Sequence, residues 1–195
     1  MFYNLNEIFD SMPLVAILSD QIYCCHGGIS QFAQYRSDIA NIPRKSVWAS
    51  DIQGYKMKSI FTDTIWAEPH FKQTLLYSPS DRYYSYYFNK SALEVKLRQF
   101  KCRALVCGVS SNPNNLSLQT DKNEGSGCEE LFGGLCYAIY SSHMDRQRSF
   151  EAAVLLFKFN PSTSLLGAEV RYHSVSKLQF SAALKTLKTE FISSK

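Results

Sequence analysis

The sequence predicts an α/β (α+β) chain in which short buried strands alternate with amphipathic helices. Three observations carry that expectation. Pro13–Leu18 and Gln21–Cys25 are apolar runs rich in branched and aromatic side chains, separated by Ser19-Asp20, which is the pattern of a two-stranded hairpin. Ser91–Phe100 places Ala92, Leu93, Val95, Leu97 and Phe100 on a helical face, with basic residues near its end. Ala104–Cys107 then follows as a buried strand of the kind that lies beside Gln21–Cys25. A chain of 195 residues, 45% hydrophobic and 19% charged, suits one globular domain with a real core.

In chain order, Phe2, Leu5, Ile8 and Phe9 recur at helical spacing, so Phe2–Ser11 is expected to be a helix that Pro13 ends. After the hairpin, Ser30 can cap a second helix in which Phe32, Ala33, Ile39 and Ala40 face inward before Pro43. Ser46–Lys58 is polar and contains Gly54, hence a surface loop, and Ile60–Ile65 reads as a buried extended stretch before Trp66. Tyr77, Tyr83, Tyr84, Tyr86 and Tyr87 surround Arg82, and alternation along one strand packs some rings and exposes others. Ser111–Gly134 is rich in Ser, Asn and Gly and reads as an irregular loop with one short strand at Leu116–Gln119. Leu135–Tyr140 resumes a strand, and Glu151–Asn160 with Ser164–Tyr172 forms a hairpin around Pro161. Ala183, Leu184, Leu187 and Phe191 return to helical spacing, which divides the chain into a domain at 1–172 and a helical tail at 173–195.

Composition narrows the function classes. The net charge of +4 is mild and the Lys and Arg residues are scattered, which argues against nucleic acid as a partner. No apolar run reaches the roughly 18 residues of a membrane helix. Residues 1–20 carry Asn, Glu and Asp where a secretory signal has a basic and then an apolar segment, so an intracellular location is expected. The six cysteines show no Cys-x-x-Cys spacing, so free thiols are expected and zinc ligation is not. His26 closes the second strand and precedes Gly27-Gly28, where another group can approach the main chain closely. A neutral imidazole in that place can ligate a metal or contact phosphate, or serve only as a hydrogen-bonded structural residue.

The wording of the chain around His26 resembles the PPP family of serine/threonine protein phosphatases. Phe9-Asp10-Ser11-Met12-Pro13 through Cys24-Cys25-His26-Gly27-Gly28-Ile29-Ser30 is similar to the family's F..LP..A.....I.C.HGG(L)S region. Asp63-Thr64-Ile65-Trp66-Ala67-Glu68-Pro69 resembles its DLLWSDP segment, and Ser80-Asp81-Arg82 its N-D-R. Ile39, Ile42 and Arg44 partly preserve an Ile-x-x-Ile-x-Arg pattern. The resemblance runs from Met1 to about Asn160, and it implies the C-terminal half of a calcineurin-like metallophosphatase β-sandwich with flanking helices.

What the resemblance implies for the site is uneven. The family uses two divalent metal ions (Mn, Fe or Zn) to activate water for in-line attack on phosphorus. His26 matches one metal ligand, and Arg82 matches a phosphate-binding arginine. Where the family reads L-I-x-R-A-H-Q, this chain has Leu105-Val106-Cys107-Gly108-Val109-Ser110. Gly108 thus stands for the arginine and Ser110 for the second histidine, and a serine hydroxyl is a poor transition-metal ligand at neutral pH. The family loop A-P-N-Y-C-G-E-F-D-N-A-G-A is scarcely preserved, with Met144 at its tyrosine and His143 beside it. The ligand motifs GDxHG, GDxVDRG and GNHE belong upstream of the position of Met1, and the chain contains no Gly-Asp or Gly-Asn pair. The segment with Asp63 and Glu68 is scaffold in the family, so these carboxylates are not expected to be catalytic.

No metal cofactor is therefore expected in this chain alone. The expected function is that of a degenerate, truncated relative that binds phosphatase regulatory subunits or phosphoproteins, with little or no activity. The alternative is a fragment of an active phosphatase acting on phosphoserine and phosphothreonine. A half domain left with bare sheet edges, and hence poorly folded, is a third reading.

Overall fold

A computed structural model describes residues 2–44, 54–70, 73–81, 83–108, 124–125, 127–139, 144–145, 148–150 and 152–173. The expected first helix is present as α1 (Phe2–Ser11), followed by the hairpin β1 (Val15–Leu18) and β2 (Ile22–Cys25). The turn places Ser19 and Asp20 at φ 46° and 56°, and Gln21 N–H closes it on the Leu18 carbonyl at 2.9 Å.

The second helix is shorter than its apolar pattern predicts. Ser30 does not cap it; α2 spans only Arg36–Ala40. Asp38 sets its start by accepting from the Gln34 and Tyr35 N–H groups at 2.8 and 3.0 Å. Ile39 is buried, whereas Ala40 faces solvent instead of the core. The expected extended stretch at Ile60–Ile65 is likewise overturned, since Tyr55–Trp66 is a helix, α3, and the last residues of the expected 46–58 loop form its first turn. A short apolar run fits strand or helix equally well, and Met57, Ile60, Phe61 and Thr64 supply the helical spacing that decides it.

After β3 (Glu68–Pro69) and β4 (Tyr77–Pro79), the tyrosine stretch divides by turn and strand, not by alternation along one strand. Tyr83 and Tyr84 lie in an exposed turn with Tyr83 at φ 63°, whereas β5 (Tyr86–Phe88) is wholly buried. Helix α4 (Lys90–Gln99) appears as expected, its start capped by the Asn89 side chain, which accepts from Ala92 N–H. Ala92, Leu93 and Leu97 face the core, while Val95 faces solvent against expectation.

Strand β6 (Ala104–Gly108) lies parallel to β2, with Cys24 opposite Val106. Two-residue β7 (Glu124–Gly125) and the strand β8 (Cys128–Leu131) occur within the expected 111–134 loop, while the expected strand at 116–119 lies outside the described residues. Strand β9 (Cys136–Ile139) is followed by β10 (Met144–Asp145), β11 (Arg148–Phe150) and the expected ribbon β12 (Ala152–Asn160) and β13 (Leu165–His173). The main sheet has the order β1-β2-β6-β9-β8, and β12 packs against β8 and β9. The tail from 174 onward lies outside the described residues.

Burial explains why these pieces hold together. Tyr23 stacks on Phe100 at 5.4 Å, and Ile29, Ile60, Phe88, Leu93 and Leu105 are sealed from water beside them. Each such side chain contributes on the order of 2 kcal/mol of apolar transfer. Gln21 ties the ribbon to this core: its amide donates to Ser164 O and accepts from Leu166 N–H, both at 3.0 Å, while its own carbonyl accepts from Arg103 N–H. All six cysteines are free thiols, as expected. Among the described residues no helix is long and apolar enough to cross a membrane.

Candidate functional site

The loop from Cys25 to Ser30 leaves the C-terminal end of β2 and is fixed from every side. His26 accepts Gly108 N–H on its carbonyl at 2.8 Å, which extends the β2–β6 pairing by one step. Gly27 N–H donates to the Thr64 carbonyl at 2.8 Å, and a Cβ there would stand 2.5 Å from the Ile65 carbonyl carbon. At Gly28 a Cβ would stand 2.3 Å from Cε1 of buried Phe88. Only glycines allow the loop to approach α3 and β5 this closely.

Ser30 completes the clamp. Its hydroxyl donates to Asp63 Oδ2 at 2.6 Å and accepts from Phe32 N–H at 3.2 Å. Asp63 also accepts from Ser85 Oγ and Tyr86 OH, each at 2.8 Å. Tyr86 OH in turn accepts from Gln31 N–H at 2.6 Å. Burial pushes the Asp63 carboxyl above its ordinary range, and its three hydroxyl donors pull it part of the way back. Burial and the neighbouring Asp63 raise Tyr86, so it stays a neutral donor. Lys96 holds the next stretch: only 4% exposed, its Nζ donates to the Gln31 and Ala33 carbonyls at 3.2 and 2.5 Å. Asp63, Tyr86 and Lys96 are thus positioning residues for the loop.

The loop presents one candidate ligand. The His26 side chain is exposed, and its Nδ1 lies against Gly108, where a Cβ would stand 3.2 Å away. The register puts Gly108 level with His26, at the strand end where the family resemblance calls for an arginine. Ser110, which stands for the second histidine, lies outside the described residues, as do Arg82 and His143. His70 packs its ring on Tyr87 at 5.0 Å, so it is part of the packing and not simply a surface residue.

A pair of divalent cations needs several oxygen or nitrogen donors per ion. Among the described residues no three His, Cys, Asp or Glu side chains converge on one point. Asp63, the carboxylate nearest in the clamp, is spent on three hydroxyls. The thiols offer no replacement, because burial raises Cys25 well above its ordinary value and, for Cys136, the hydrogen bond with Cys107 does so ahead of burial. The described donor set does not fit a two-ion centre.

Sequence reasoning did not find the Asp63 cluster. Its signal was faint: two short polar residues, Ser30 and Asp63, stand inside otherwise apolar patterns. Such residues are buried only when paired.

Comparison with known proteins places the fold. The family model of the calcineurin-like phosphoesterases matches residues 1–108. A serine/threonine-protein phosphatase of Caenorhabditis elegans is 32% identical over 69 residues, which is 35% of this chain and 14% of that protein. The fold is similar, at a TM-score of 0.62 and 18% identity, to a protein serine/threonine phosphatase of Saccharomyces cerevisiae described as similar to human phosphatase PP5. That match covers 90% of this chain and 51% of the yeast chain, so the chain spans about half the length of the yeast protein and a smaller share of the nematode one. The α/β architecture and the matched family model converge: the chain belongs to the calcineurin-like phosphoesterases, and within that family it is similar to serine/threonine protein phosphatases.

Proposed function

We propose that this chain is a phosphatase-like binding protein with little or no hydrolytic activity of its own, which engages phosphatase regulatory subunits or phosphoproteins. The observation that supports this reading is the contrast between a complete loop scaffold and its imidazole: among the described residues His26 belongs to no group of three or more His, Cys, Asp or Glu side chains that could hold a metal ion. Phosphomonoester hydrolysis is among the slowest uncatalysed reactions, and the described residues offer no cluster that would seat the family's cations to accelerate it. An intracellular setting is supported by the free state of all six cysteines.

A second reading has its own support. The clamp on Gly27, Gly28 and Ser30 holds His26 where a ligand is wanted, as it would in part of an active metal-dependent phosphatase acting on phosphoserine or phosphothreonine. Phosphomonoester turnover with added manganese separates the two. Purified chain is expected to give the same background as His26→Ala. Manganese-dependent turnover abolished by His26→Ala would overturn the binding-protein reading; turnover that survives the substitution belongs to a contaminant.

A further inference from the structure

We propose that the outer edge of β1, with the cavity beside it, is a docking site for an extended peptide segment of another protein, apolar at alternate positions and carrying a carboxylate. β1 is the end strand in the order β1-β2-β6-β9-β8, and among the described strands it pairs only with β2. Its backbone groups on the other side are a template for strand addition. Exposed Met12 precedes the strand and exposed Leu18 ends it, at 52% and 42% accessibility, so apolar surface is open at both ends of the edge.

The side chains agree with the backbone. Val15 and Ile17, two residues apart and so on one face, line a cavity of about 240 Å³ together with Leu14, Ile39 and Ile42. A strand added to β1 would turn every second side chain toward that same face. Charge selects the occupant further. Two guanidiniums line the cavity, and Arg36 is already paired with Asp20 at 2.5 Å. Arg44 donates Nε to the Met12 carbonyl at 2.6 Å and lies 5.6 Å above the Phe61 ring; Asp10 acts on it electrostatically, but among the described residues no carboxylate forms a direct ion pair with it. A carboxylate on the docked segment supplies the direct ion pair that Asp10 does not form. This site is separate from His26 and stands whether or not the chain hydrolyses phosphate.

The test is titration of the full chain with the peptide acetyl-Thr-Val-Thr-Val-Thr-Glu-Thr-amide, which puts both valines and the glutamate on one face. Two further peptides carry N-methyl groups on the odd or the even amides. The parent peptide is expected to bind, and one N-methylated peptide to bind at least about tenfold more weakly while the other is unaffected, since only alternate amides face the edge. Arg44→Glu is expected to weaken the parent by about tenfold and to accept the Glu-to-Lys peptide instead. The proposal is overturned if both N-methylated peptides bind like the parent, or if no binding is seen to a chain whose circular dichroism and thermal transition are intact. A homodimer that shields β1 from the peptide overturns it as well.

Discussion

Two strand ends lie side by side in this molecule and have fared differently. At the end of β2, the loop from His26 to Ser30 is held by Thr64, Asp63, Tyr86 and Phe88, with glycines at the two places where backbone and ring come closest. At the end of β6, level with it, Gly108 offers one N–H and no side chain. The first end keeps its shape because its residues are coupled to the core, where each loss leaves a buried group unpaired. The second is bound to its surroundings by far less, and nothing in the packing of the described residues requires a larger side chain there. Scaffold and chemistry are thus separable in one fold.

The comparison breaks most visibly at the glycines. Gly27→Ala drives a Cβ into the Ile65 backbone and is expected to cost about 3 kcal/mol, read as a lower denaturant midpoint. Gly108→Ala meets only the His26 carbonyl at 3.0 Å and a swinging imidazole, and should cost about 1 kcal/mol or less. Equal losses at the two glycines would erase the distinction between the strand ends.

Asp63 sharpens the same contrast. Asp63→Ala strands the Ser30, Ser85 and Tyr86 hydroxyls and is expected to cost about 2 to 3 kcal/mol. Asp63→Asn should cost less, about 1 kcal/mol, because one acceptor becomes a donor while Ser30 and Tyr86 already accept from Phe32 and Gln31 N–H. Its pH signature is more telling. The folded-state Asp63 value is raised, so the native state holds the proton more tightly than the unfolded chain. Its contribution is fully present below about pH 3.9, the unfolded value, and is lost as pH rises through the raised folded value. Asp63→Asn removes that falling component, and urea midpoints across the acid range will show it. An unchanged pH profile would mean that Asp63 is not buried in this clamp.

The smallest effect is expected at the candidate ligand itself. His26→Ala removes an exposed side chain and should change stability by no more than about 0.5 kcal/mol. A larger loss would show that the imidazole is part of the scaffold.

Much of the scaffold was legible in the sequence because local rules and tertiary packing agree there. The hairpin of β1 and β2, the α4 helix and the β12–β13 ribbon each show their own period and turn residues. Ile60–Ile65 misled because a run of that length fits either period, and the helix shows only in the wider spacing of Met57, Ile60, Phe61 and Thr64. Ser30 misled because its hydroxyl, though it accepts from Phe32 N–H, donates to Asp63, 33 residues away, and starts no helix. Of the site, His26 at the end of the second strand could be read directly. The triple acceptor role of Asp63 could not, since the chain order of Ser30, Asp63, Ser85 and Tyr86 does not reveal that they meet.

The central claim is that an intact loop presents an imidazole without the company that a two-cation centre needs. Electron paramagnetic resonance during manganese titration tests it most directly. The account predicts the spectrum of the free aqueous ion from the first additions, identical for the chain and for His26→Ala. Two tightly bound, spin-coupled ions per chain that disappear in His26→Ala would contradict it.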